Sequence, residues 1–159
     1  MGTACHHSHD AHGLLGAHLK AELKDAEQRC LADRQRLTRP RRRALEMLLR
    51  AGHPMNAYDL LPKFHEGGRA AKPPTVYRAL EFLERQGLAH RIESLNAYVA
   101  CRRVGETHAA AFLICDCCGV TAEVEPVGAA DIERMAEQSG YRLATVTIEA
   151  HGLCATCAG

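Results

Sequence analysis

Cys115 and Cys118 stand two residues apart in "FLICDCCGV", and Cys154 and Cys157 repeat that spacing in "HGLCATCAG", some 36 residues further on. Two residues between ligands let the backbone turn so that both sulfurs face one ion. Soft thiolates in a tetrahedral shell suit Zn²⁺. In the first stretch the pair is Cys115 with Cys118, because Cys117 has that spacing to neither neighbour, and Gly119 follows where such a turn often needs a glycine. Cys117 is then expected to be a bystander in the turn. A shell of four thiolates leaves no open position, so the ion would hold structure and catalyse nothing. The competing chemistry is a thioredoxin-type redox motif, which accounts for one Cys-x-x-Cys and leaves the other unexplained.

A second set of chemically distinctive residues is basic. "RQRLTRPRRR" holds six arginines from Arg34 to Arg43. They bracket the start of a helical pattern, a placement suited to phosphate contact, and Arg41 and Arg42 are the candidates. Further on, "PPTVYRALEF" reads as the start of a helix whose Val76, Ala79, Leu80 and Leu83 face a core. That leaves Thr75, Tyr77 and Arg78 outward. An arginine there can bond guanine O6 and N7 together.

The elements that must position these residues follow from periodicity. A helix is expected from Leu14 to about Arg34, with Leu15, Leu19, Leu23 and Ala26 on one face. Thr38 is read as the N-cap of a second helix with an apolar stripe at Leu45, Leu48 and Leu49, which Gly52 stops. Asn56 caps a third, "AYDLLPKFHE", which Pro62 should kink or shorten. "GGRAAKPP" is a loop, and Thr75 opens the helix that ends at Gly87. "LAHRIES" and "NAYVAC" then read as two strands joined at Leu95–Asn96, giving the order of a winged helix-turn-helix. Past the linker "RRVGETHAA" the pattern runs strand, turn, strand, helix, strand, last cysteine pair. The fold class is α+β: an N-terminal winged helix-turn-helix domain and a small C-terminal α/β domain. The expected boundaries are a disordered His-rich tail at 1–12, the winged helix at 13–102, a hinge at 103–109 and the second domain at 110–159.

The bulk numbers agree with two modules. The 159 residues fit one ordinary domain or two very small ones. Residues 1–104 carry 18 Lys/Arg against 11 Asp/Glu, and residues 105–159 carry 2 against 8, so the overall +1 hides a basic first part and an acidic second. Only the first is suited to a polyanion. No apolar run could span a membrane and no signal peptide is legible, so a cytoplasmic protein is expected, where eight cysteines favour metal ligands or reactive thiols over disulfides.

Taken together, "AKPPTVYRALEFLERQGLAHRIESLNAYVAC", both cysteine pairs and "IEAHGLCATC" resemble the ferric uptake regulator family of bacterial repressors, in particular its zinc uptake branch. The resemblance runs from about Leu14 to the end and is most specific in Thr-Val-Tyr-Arg. It implies a winged helix hinged to a dimerisation domain and two zinc ions per subunit. The structural ion would be held by Cys115, Cys118, Cys154 and Cys157, and the regulatory one by His90, Cys101, His108 and Glu123. It implies base reading by Tyr58 and Arg78. The protein would be a homodimeric, zinc-responsive repressor of zinc uptake genes, with zinc as corepressor. Its partners would be a double-stranded operator and the zinc ion, with no other small-molecule substrate and no membrane. Where iron-sensing members carry a His-His-Asp-His run, this chain has "THAAAFLIC", which keeps only His108. Pro62 and His65 stand where some relatives place charges used between neighbouring dimers. The alternative function is a thiol or peroxide sensor of the same family. An enzyme is not expected: no His-Glu-x-x-His or His-x-Glu…Pro-Cys-x-x-Cys pattern occurs.

Overall fold

The computed structural model describes residues 13–66, 69–101 and 109–159. These fall into two compact units, 13–101 and 109–159. The expected tail at 1–12 and hinge residues 103–108 lie outside the described residues.

The first unit begins with α1 (Gly16–Ala32) and α2 (Arg39–Ala51). α1 buries Leu19, Leu23, Ala26 and Cys30, which recur at the three- and four-residue spacing of one helix face. Leu15, expected on that face, precedes the helix and is exposed. Thr38 occupies the N-cap position of α2 with extended backbone but gives no side-chain cap, and Pro40 sits in the first turn where its missing N–H costs nothing. Gly52 ends α2 at φ 65°, and its N–H donates to Leu48 O. Ala44, Leu45, Met47 and Leu48 are buried, and Leu49 is half-buried. The third helix is short. α3 (Ala57–Leu60) is capped by the Asn56 side chain, which accepts from Asp59 N at 3.0 Å. Pro62 then tightens the chain into a 3₁₀ turn at Leu61–Lys63, the shortening expected of a proline. The following segment, expected as a loop, holds the paired two-residue strands β1 (His65–Glu66) and β2 (Arg69–Ala70).

Helix α4 (Pro73–Arg85) starts two residues before Thr75, with both prolines in its first turn. Val76, Ala79, Leu80, Phe82 and Leu83 pack against α2. The wing follows as β3 (Ala89–Ile92) and β4 (Ala97–Ala100), antiparallel with Ala89 opposite Ala100 and Ile92 opposite Ala97. Asn96 closes its turn at φ 46°, a conformation asparagine tolerates. Arg91 steadies that turn through Asn96 Oδ1 at 3.3 Å and Glu93 Oε2 at 3.2 Å. The wing is tied to the helices by paired bonds between Met55 and Tyr98, each 2.8 Å. Leu48, Leu60, Val76, Leu80 and Leu83 are fully enclosed, and burying each such side chain is worth about 1.5–3 kcal/mol.

The second unit is a three-stranded sheet with one long helix. β5 (Ala110–Cys115) is central, antiparallel to β6 (Thr121–Val124) and parallel to β7 (Thr147–Gly152). α5 (Ala129–Gln138) makes the crossover, and α6 (Ala155–Ala158) is a single turn at the end. The last strand begins at Thr147, later than the expected run from Tyr141. Buried residues here are Ala110, Ala111, Phe112, Ile114, Cys115 and Ala129. Outside them, Leu113, Val127, Ile132, Met135, Tyr141, Leu143 and Leu153 are all exposed.

Candidate metal centres and nucleic-acid face

β5 ends at Cys115 and β7 runs beside it in parallel, with Cys115 opposite Gly152. The two strands therefore deliver both Cys-x-x-Cys turns to the same end of the sheet. The Sγ atoms of Cys115, Cys118, Cys154 and Cys157 all lie within 4.8 Å of one another. Cys118 and Cys154 are 3.8 Å apart. Four sulfurs each about 2.3 Å from a central Zn²⁺ would form a tetrahedron with edges of about 3.8 Å, so the residues fit that ion. The turn is closed by Cys115 N–H, which donates to Val120 O at 3.0 Å, and by Gly119 N–H, which donates to Cys115 O at 2.9 Å. Gly119 sits at φ 74°, which any side chain would strain.

Electrostatics set Cys115 apart from Cys157. Backbone N–H groups of Cys118 and Cys154 aim at Cys115 Sγ and hold its pKa down at about 6, so it is largely thiolate at neutral pH. The Cys154 N–H···S contact is 3.3 Å. Cys157 is pushed upward by burial and by the other sulfurs around it. One ready thiolate at Cys115 beside Cys118 and Cys157, which resist ionising, makes a site that a cation completes. Cys117 is not one of this group.

A contact that the sequence did not signal braces the cluster. His151 Nδ1 lies 2.9 Å from Asp116 Oδ1, and its Nε2 is 3.9 Å from Glu149 Oε2. Asp116 N also donates to Gly152 O at 2.8 Å. The first turn is thus fastened to the strand that leads into the second. Residues 35 apart with no shared motif gave no hint of it.

The expected regulatory ligands are distributed over both units. In the first, His90 lies on β3, and Cys101 follows β4 with its N–H donating to Leu88 O at 3.0 Å. His90 pairs with Val99, so His90 and Cys101 are diagonal neighbours on one face of the wing. A His90 ring nitrogen and Cys101 Sγ lie within 4.8 Å. Cys101 is buried and His90 half-buried. In the second unit, Glu123 is half-buried on β6 opposite Phe112. His108 lies outside the described residues.

The expected DNA contacts fare differently from one another. Tyr58, on α3, is 73% exposed. Tyr77 and Arg78 are exposed on α4, while Thr75 is half-buried in its first turn. Arg42 is exposed. Arg41 turns inward: its guanidinium lies 3.5 Å from the Phe82 ring centroid, and Nη1 donates to Arg36 O at 2.7 Å. It locks the α1–α2 connection onto α4.

A helix with an open polar face, followed by a two-stranded wing and then an α/β unit with a four-sulfur cluster, defines a winged-helix regulator whose second unit gathers four sulfurs that could hold a metal ion. The model of the ferric uptake regulator family matches residues 33–151, and this chain belongs to that family. The zinc uptake regulation protein of Escherichia coli (strain K12) is 44% identical over 137 residues, 85% of this chain and 80% of that protein. A solved zinc uptake regulator complexed with zinc and DNA matches at 41% identity with a TM-score of 0.81, covering 90% of this chain and 97% of its own. Holo XcZur matches at 39% identity with a TM-score of 0.77, covering 87% and 97%.

Proposed function

We propose that this protein is a zinc-responsive, DNA-binding repressor of zinc uptake genes, with zinc as corepressor and no reaction catalysed. The likeness to the zinc uptake regulators supports the class, and the chemistry of the ligands supports the metal. The observation that carries the sensing role is the His90–Cys101 pair on the wing, a nitrogen and a sulfur within 4.8 Å. Such a mixed soft set suits Zn²⁺ better than a hard cation.

In this reading each subunit holds two ions. One sits among Cys115, Cys118, Cys154 and Cys157. The other takes His90, Cys101, His108 and Glu123, ligands drawn from the wing, the linker and the sheet of the second unit. An ion requiring all four donors favours the arrangement that gathers them, by its differential affinity for that state. It thereby fixes the wing relative to the pairing unit, and couplings of this kind are typically about 1–3 kcal/mol. The active species is a cytoplasmic homodimer. The seven exposed apolar side chains of the second unit supply a surface that a second copy would cover. Its two α4 helices would then meet successive major grooves of an operator.

The test is operator binding against buffered free zinc. Affinity should rise steeply with zinc, be indifferent to mild peroxide, and lose its zinc dependence in Cys101→Ser. Binding that instead follows oxidation at constant zinc would establish the thiol-sensor reading in its place.

A further inference from the structure

On α4 the buried stripe is Val76, Ala79, Leu80, Phe82 and Leu83. At about 100° per residue, the direction opposite that stripe falls on Glu81, with Tyr77 about 40° to one side and Arg78 about 60° to the other. Glu81 is exposed, as are Pro74, Tyr77, Arg78 and Arg85 around it. The middle of the face that the reading above turns toward DNA is therefore a carboxylate, flanked one turn away on either side by Arg78 and Arg85.

A carboxylate at that place works against binding to phosphates, and would weaken attachment to any DNA sequence alike. It becomes favourable where a base edge offers a donor. In the major groove the donors are the cytosine N4 and adenine N6 amino groups. Adenine sets its N7 acceptor beside N6, which repels a carboxylate, while cytosine offers its amino group without one. Arg78, three residues earlier, has the complementary preference for guanine O6 and N7.

We infer that Glu81 is a specificity-determining residue of operator recognition, accepting a hydrogen bond from the N4 amino group of one cytosine in each half-site and penalising sequences that lack it. The inference rests on the DNA-binding reading of α4. It assigns to Glu81 a selective role in which rejection of other sequences counts as much as attraction to the right one.

The experiment is selection by the zinc-loaded full-length protein from double-stranded DNA with a randomised central segment, repeated with Glu81→Ala and Glu81→Gln. The wild type should enrich a cytosine at one defined position per half-site. Glu81→Ala should flatten that position alone, its preference over the other bases falling tenfold or more, while zinc content and the positions read by Arg78 are kept. Glu81→Gln should move the preference towards adenine, whose N6 and N7 an amide bonds together. If both variants enrich the wild-type sequence, the inference fails and the operator reading stands. A uniform gain in affinity for all DNA by Glu81→Ala, with the cytosine preference intact, also overturns it and leaves Glu81 as a repulsive charge. A wild type that enriches no sequence overturns the operator reading and this inference with it.

Discussion

Loss of one thiolate from the four-sulfur cluster should unfold the second unit and spare the first. The magnitudes come from how little apolar core that unit owns. Its buried residues are three alanines from β5 and α5, Phe112, Ile114 and Cys115. Full burial of the two large side chains is worth about 3–6 kcal/mol together. Structural zinc in small four-ligand sites contributes about 10–16 kcal/mol at pH 7, which exceeds that core even where its lower bound meets the core's upper one. The first unit, by contrast, encloses Leu48, Leu60, Val76, Leu80, Leu83 and many others without any such ion. In Cys154→Ser, amide hydrogen exchange should therefore become fast over residues 110–115 and 147–152, while α2 and α4 stay protected. Cys117→Ser, outside the sulfur cluster, should keep its zinc. If the metal-free Cys154→Ser protein retains slow exchange in the sheet, the sheet is self-sufficient and the cluster is not what holds this unit together.

Arg41→Ala should cost the first unit about 1–2 kcal/mol in urea unfolding, since it removes the contact with Phe82 and the bond to Arg36 O. Operator affinity per folded molecule should change less than in Arg42→Ala, separating two residues that the sequence offered as equals. Arg78→Ala should lose about 1–3 kcal/mol of discrimination for the cognate operator, and equal loss on random DNA would make it a phosphate contact. Acid release of zinc, followed with a chromogenic chelator, should set in as pH falls towards about 6, where the sulfur of Cys115 takes up a proton. Its pKa is lowered on folding, so the thiolate and the stability it brings are present at higher pH and lost as pH falls through about 6. Zinc retention should weaken in the same direction, as protons compete for the sulfur.

Some of this was legible because it is local. Asn56 as a cap, Gly52 as a stop, Pro62 as a shortener and the four-residue recurrence of apolar side chains depend on neighbours a turn away, so the chain order alone carries them. Each Cys-x-x-Cys is likewise a local turn, and two of them in one chain already pointed to a single four-thiolate ion. What had to await the fold was every relation between distant segments. The parallel pairing of β5 with β7 decides that both cysteine turns reach the same end of the sheet. The same pairing sets His151 against Asp116, a contact no spacing rule encodes. Arg41 and Phe82, 41 positions apart, meet because α2 packs on α4, and that packing gives a residue expected to contact DNA a neighbour within the fold. The open face of α4 follows the same logic. Its helical period and its core side were readable, while the packing of the first unit added Phe82 to the buried side and drew Thr75 half under cover, leaving Glu81 at the centre of what remains.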